Sequence, residues 1–144
     1  FDYSVLGDSV NLASRLEGQC KTYAVDIVIG DNTFEQVPSM ATLELDLIRV
    51  KGKKEAVRIH TLLGDENLRE GNAFRVIQGN HDEMLAAFRG QRWDEAMDKM
   101  AACRELVDGF NLGGFYDLYA ERIAEYREAP PPSDWDGVYV ATSK

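Results

Sequence analysis

Asn11 and Arg15 stand four residues apart in FDYSVLGDSVNLASRLEG, the opening stretch of a 144-residue chain. On a helix that spacing puts both side chains on one face. A guanidinium offers a charged fork that suits phosphate oxygens. A carboxamide can orient a sugar or a ring oxygen by hydrogen bonding. Both residues fall in the first two turns of a helix expected from about Val10, where the helix dipole favours an anion. The chemistry this suggests is the grip on a nucleotide. A solvated polar face has the same spacing, so the pair alone leaves both readings open.

A second candidate is Lys51-Gly52-Lys53-Lys54, three lysines around one glycine. It makes a compact positive spot that a phosphate could meet, or a polar turn that blunts a strand edge. His60 and His81 have no second histidine at ligand spacing and read as structural or solvated. Asn80-His81-Asp82-Glu83 is metal-like in composition alone and reads as a cap for the helix after it. Gly113 and Gly114 follow no strand, which argues against a phosphate loop.

The elements that must hold these residues follow from periodicity and breakers. Phe1, Tyr3 and Val5 alternate with polar residues, which predicts a strand over 1–6. Gly7 permits a tight turn, and Asp8 or Ser9 can cap a helix running to about Lys21. Residues 26–30 predict a short strand, and 31–37 a short helix capped at Asp31 or Asn32 and stopped by Pro38. Residues 42–50 and 56–63 predict an antiparallel hairpin with the lysines at its tip. After Gly64 the pattern changes. Residues 65–80 read as a linker. Helices are expected from about His81, broken at Gly90, with a loop over 108–114 and a third helix over 115–127. Pro130-Pro131-Pro132 should end that helix and start an extended tail with Trp135. The expected organisation is thus 1–64, a linker at 65–80, and a helical extension over 81–144, in an α+β class.

The net charge of −9 is uneven: residues 1–63 carry seven Lys/Arg against nine Asp/Glu, and 64–144 carry nine against sixteen. An acidic chain is a poor general binder of nucleic acid, so any phosphate ligand must meet basic groups placed locally in the first half. Cys20 and Cys103 match no metal spacing and suit a reduced, cytoplasmic setting. No apolar run reaches the length of a membrane span. The first residue is Phe and the opening run already reads as a strand, so the expectation is a piece of a longer protein.

Residues 1–17, from Phe1 through Gly7-Asp8-Ser9-Val10-Asn11 to Arg15-Leu16-Glu17, closely resemble the strand–turn–helix signature of class III adenylate and guanylate cyclases. The resemblance continues through Val28-Ile29-Gly30, Leu45-Asp46, Arg49-Val50-Lys51-Gly52-Lys53 and Val57-Arg58-Ile59-His60. It implies the C-terminal part of a ferredoxin-like catalytic domain over 1–64. The implied reaction turns ATP into 3′,5′-cyclic AMP and pyrophosphate. In the matching positions Asn11 would orient the ribose, Arg15 would stabilise the phosphoryl transition state, and Lys51 would contact the triphosphate. Ser4 falls where the family selects the base; its hydroxyl favours ATP over GTP, with guanylate cyclase as the alternative.

The family's two Mg²⁺ or Mn²⁺ ions are held by aspartates that lie upstream of this signature, and Asp2 and Asp8 are not those ligands. Family sites form at a homodimer interface, so the resemblance implies that this chain carries one wall of a site and does not cyclise ATP alone. The uncovered strand edges should make it associate. Residues 88–96 resemble the turn of a tetratricopeptide-like helical hairpin, and Tyr119–Ile123 with the prolines and the stretch around Trp135 resembles the tail that follows catalytic domains in some bacterial cyclases. Some of those proteins are membrane-anchored, which would make this chain a cytoplasmic portion. A degenerate cyclase fold serving as a dimerisation or regulatory module is the non-enzymatic alternative.

Overall fold

The computed structural model describes residues 19–50, 55–106 and 110–141. The strand expected over 1–6, most of the first helix and the lysine turn lie outside these residues, apart from helical residues 19–23. In chain order the elements are β1 (Val28–Gly30), α1 (Asp31–Gln36), β2 (Ala41–Val50), β3 (Val57–Gly64), α2 (Glu66–Glu70), α3 (Asn72–Arg89), α4 (Trp93–Arg104), α5 (Gly113–Glu128) and β4 (Tyr139–Ala141). The class is α+β.

The strands form one sheet in the order β1-β3-β2-β4. The hairpin expected from residues 42–63 is present, as antiparallel β2 and β3. β1 joins the other side of β3, also antiparallel. β4 lies along the end of β2 in parallel, with Ile48 opposite Tyr139 and Val50 opposite Ala141. That strand was not foreseen. A three-residue strand whose partner lies 91 residues back carries no local signal beyond β-propensity.

β2 is irregular between Glu44 and Asp46: Glu44 faces His60, Asp46 faces Ile59, and Leu45 has no opposite number. Such a bulge breaks the strict alternation of faces. Leu45 and Asp46 are consequently both buried, although they are neighbours.

Most of the span 65–80, expected as a linker, is helical: Glu66–Glu70 and the start of Asn72–Arg89. Asp65 caps α2 by accepting the Leu68 amide, and α3 starts at Asn72. Phe74, Ile77, His81, Met84, Leu85 and Phe88 recur at helical spacing and are all buried, one stripe of an amphipathic helix. The polar residues between them mask the stripe in the sequence. Asn80–Glu83 therefore lie within α3 and cap nothing. The cap expected at Asp31 or Asn32 is also replaced: Gly30 precedes α1 with no side-chain bond.

The break at Gly90 is as expected, with Gln91 in the left-handed region at φ 61°. It lets α4 turn back onto α3 and bury Ala96, Met100 and Cys103. α5 extends the third expected helix by two residues at its start and one at its end. Gly114 marks a close approach, since a Cβ there would stand 2.6 Å from the Cβ of Ala24. The tail does not run free. Trp135 packs edge-on to Phe88 and Tyr126, and its indole N–H donates to the Val138 carbonyl. A single core runs from Tyr23 and the β2–β3 hairpin into α3, α4 and α5.

Candidate functional site

Ser4, Asn11, Arg15 and Lys51 all lie outside the described residues. The structure does describe the segments that lead away from Arg15 and towards Lys51. They meet in a buried polar cluster.

Tyr23 ends the helical stretch that follows Arg15 in the chain, and Asp46 sits at the bulge of β2. The Tyr23 hydroxyl donates to Asp46 Oδ2 at 2.6 Å. Arg122 of α5 donates to the same oxygen at 2.7 Å, and its second nitrogen lies 3.4 Å from the Tyr23 hydroxyl. The other carboxylate oxygen accepts the Leu47 amide at 2.8 Å. The Arg122 guanidinium lies 3.9 Å from the ring centre of Tyr139 and 5.1 Å from that of Tyr119. Tyr119 in turn donates to the Leu45 carbonyl, the group the bulge leaves without an opposite residue.

Every member is thus partnered, as a buried charged group requires. Burial works against the charge of Arg122, but Asp46 and the tyrosines hold its pKa above the ordinary value. Burial, then the charge of Asp46, push Tyr23 up, and burial pushes Tyr119 up. Arg122 thus stays charged and the phenols stay neutral. The cluster fixes geometry.

Sequence reasoning gave these residues no role, although Leu45-Asp46 lies within the cyclase resemblance. The available signals were Asp46 between Leu45 and Leu47 on a strand, and Arg122 on the stripe formed by Phe115, Tyr119, Ile123 and Tyr126.

A second polar group involves His81, which is wholly buried. Its Nε2 faces the Glu44 carbonyl, which can only accept, so Nε2 carries the proton. Nδ1 then accepts from the Tyr116 hydroxyl at 2.9 Å. Burial lowers the His81 pKa to about 4. The unfolded chain takes up this proton near pH 6.5 and the folded chain near pH 4. Stability is therefore expected to fall as pH drops through that window, by about 3 kcal/mol in all. Asp82, whose carboxyl is pushed up by burial and by Glu44, opposes this in the carboxylate range. Urea midpoints between pH 7 and 5 should show the slope, and His81→Gln should remove it.

A cavity of about 330 Å³ opens between α1, the β2–β3 surface and α3, with Glu44, His60, Asp82 and Arg89 in its lining. Two ion pairs border it. Arg89 lies 2.6 Å from the Glu44 carboxylate, and His60 lies 2.9 Å from Asp31 under the stacked ring of Phe34. His60 is thus structural, as its isolation in the sequence suggested. Among the described residues no group of three or more His, Cys, Asp or Glu side chains is placed to hold a metal ion. No helix among the described residues is long and apolar enough to cross a membrane.

Comparison with known proteins gives two adenylate cyclases. The chain is 30% identical over 108 residues to the terminal-differentiation-specific adenylate cyclase of Dictyostelium discoideum, covering 72% of this chain and 5% of that protein. It is 40% identical over 63 residues to an adenylate cyclase of Anabaena cylindrica, covering 41% of this chain and 12% of that protein. The chain therefore spans a small part of each relative. The longer match takes in more residues than 1–64 can supply, so it reaches into the helical half. No protein-family model matches the chain, and no solved structure does. The two similarities support a relationship to adenylate cyclases.

Proposed function

We propose that this chain is the C-terminal part of a class III nucleotidyl cyclase catalytic domain, residues 1–64, with a helical extension built onto its sheet, and that the protein forms cyclic AMP from ATP. The similarity to adenylate cyclases of two distant organisms carries this reading. The β2–β3 hairpin, which the resemblance requires on either side of Lys51, supports it.

In this reading the ribose 3′-oxygen forms a bond to the α-phosphorus, the bond from that phosphorus to the bridging oxygen breaks, and pyrophosphate leaves. The 3′ proton passes to solvent. Asn11 holds the ribose so that its hydroxyl is in line. Arg15 faces the oxygens on which charge develops, where a fixed cation is worth most. Lys51 binds the triphosphate, and the Ser4 hydroxyl meets the base edge of adenine. Mg²⁺ or Mn²⁺, when bound, would neutralise phosphate charge. The site is proposed to close between two copies of the chain.

The test is cyclic AMP formation from Mn²⁺-ATP by the protein as its reading frame encodes it, beside the 144-residue chain alone. The encoded protein is expected to be active, and the isolated chain to make none. Robust product from the isolated chain would remove the claim that the metal-bearing wall is elsewhere. A folded, inactive encoded protein would favour the degenerate, partner-binding alternative. Lys51→Ala is expected to raise KM for ATP by about tenfold with kcat nearly unchanged, the signature of a contact kept from ground state to transition state.

A further inference from the structure

We propose that the cavity between α1, the β2–β3 surface and α3 is a binding site for a small zwitterion, a free α-amino acid with an apolar side chain. None of its residues is among those assigned above to the nucleotide.

Four polar side chains carry the inference. Thr42 on β2, Arg69 on α2, and Gln78 and Asp82 on α3 all line the cavity. Among the described residues none of these four side chains has a hydrogen-bond or ion-pair partner. Thr42 matters most, because it is only 6% exposed. Ala41 and Leu43 on either side of it belong to the core. Strand alternation therefore points its hydroxyl the other way, into the cavity that it lines together with Glu44. A buried hydroxyl without a partner is costly, and a ligand in the cavity would supply one. On α3, Gln78, Asp82 and Leu85 recur at spacings of four and three, so they face the same space.

The charges select the ligand. Glu44 is already met by Arg89 at 2.6 Å and by Arg58 at 3.4 Å, and His60 by Asp31. Of the charged groups lining the cavity, that leaves one carboxylate, Asp82, and one guanidinium, Arg69. Both are exposed and so stand at the rim, whereas Thr42 and His60 are buried at the floor. An ammonium suits the first and a carboxylate the second. Burial, and then the charge of Glu44, push the Asp82 carboxyl up; an ammonium beside it would reverse that. A phosphate ester would bring several negative charges towards Glu44 and Asp82, and a diamine would leave Arg69 without an anion. Leu85 and Met40 offer an apolar wall for a side chain. A volume of about 330 Å³ is at the small end for ligand pockets and suits a single amino acid.

The experiment is equilibrium dialysis of the encoded protein, without ATP, against radiolabelled L-leucine and L-phenylalanine. Leucinamide, which lacks the carboxylate, N-acetyl-L-leucine, which lacks the ammonium, and adenosine 5′-monophosphate serve as competitors. One or both amino acids are expected to be retained at about 1 mM, and each leucine analogue to compete about tenfold less well than leucine. Asp82→Asn and Arg69→Gln should each weaken binding by about tenfold, with unchanged urea midpoints, since both side chains are exposed. No retention of either amino acid overturns the inference. Retention that neither variant weakens places the binding elsewhere and overturns it too. Equal competition by either leucine analogue, or stronger competition by the nucleotide, overturns the assignment to a zwitterion. The analogues probe both charged contacts on the unaltered protein, so the outcome stands even where a variant fails to fold.

Discussion

Replacing Arg15 by alanine is expected to lower kcat for cyclic AMP formation by about 10²–10³-fold, the usual loss when one preorganised charge-stabilising donor is removed from a transition state. KM for ATP should change far less, because the interaction strengthens as the bond to the leaving oxygen breaks. Arg15→Lys should recover little: an ammonium keeps the charge and loses the planar fork. Product measured from Mn²⁺-ATP under saturating substrate decides the matter. A residual rate within a few-fold of the unaltered protein would mean that Arg15 belongs to a solvated face. The proposed function would then lose its central residue.

The second large effect concerns stability. Arg122→Ala is expected to cost about 3–5 kcal/mol, because it leaves the Asp46 carboxylate buried with its cation gone. For a domain whose total stability is of order 5–15 kcal/mol, that is enough to unfold a large share of the molecules. Asp46→Ala should cost a similar amount by stranding the guanidinium. The double change Asp46→Leu with Arg122→Met removes both charges and keeps apolar volume. It is expected to recover most of the loss, since replacing a buried pair avoids its desolvation. Urea midpoints of the three variants test this. A double variant as unstable as either single one would show that geometry, here the bonds to Tyr23 and the Leu47 amide, outweighs charge.

The two predictions separate support from chemistry. Arg15 is proposed to act on the substrate, and its loss should leave the urea midpoint in place. Arg122 lies in the core, and its loss should move the midpoint before it moves the reaction.

The β2–β3 hairpin, the break at Gly90 and the end of α5 before the prolines were all legible, because each depends on neighbours within a few residues. Alternation marks a strand, and a missing amide hydrogen or a tight turn ends a helix. The candidate residues Ser4, Asn11, Arg15 and Lys51 come from the sequence too, through a motif whose residue types are themselves the signal. α3 was half legible. Its apolar stripe is present from Phe74, but the polar stretch through Gln78–Asn80 hides it until His81 is counted as a core residue.

The packed interior was not legible. His81 looks like a loop residue until Tyr116 and the Glu44 carbonyl are brought to its two nitrogens from 35 and 37 positions away. Asp46 and Arg122 each look misplaced until they are paired across 76 positions. β4 becomes a strand because the end of β2 offers it backbone partners. The sequence by itself determined the local elements and the identity of the residues proposed to meet a nucleotide, since both rest on short-range sterics and residue chemistry. Tertiary structure alone decided which polar groups could be buried and where the tail docks. A buried charge or a lone strand is favourable only once a distant partner satisfies it, and no local pattern specifies that partner.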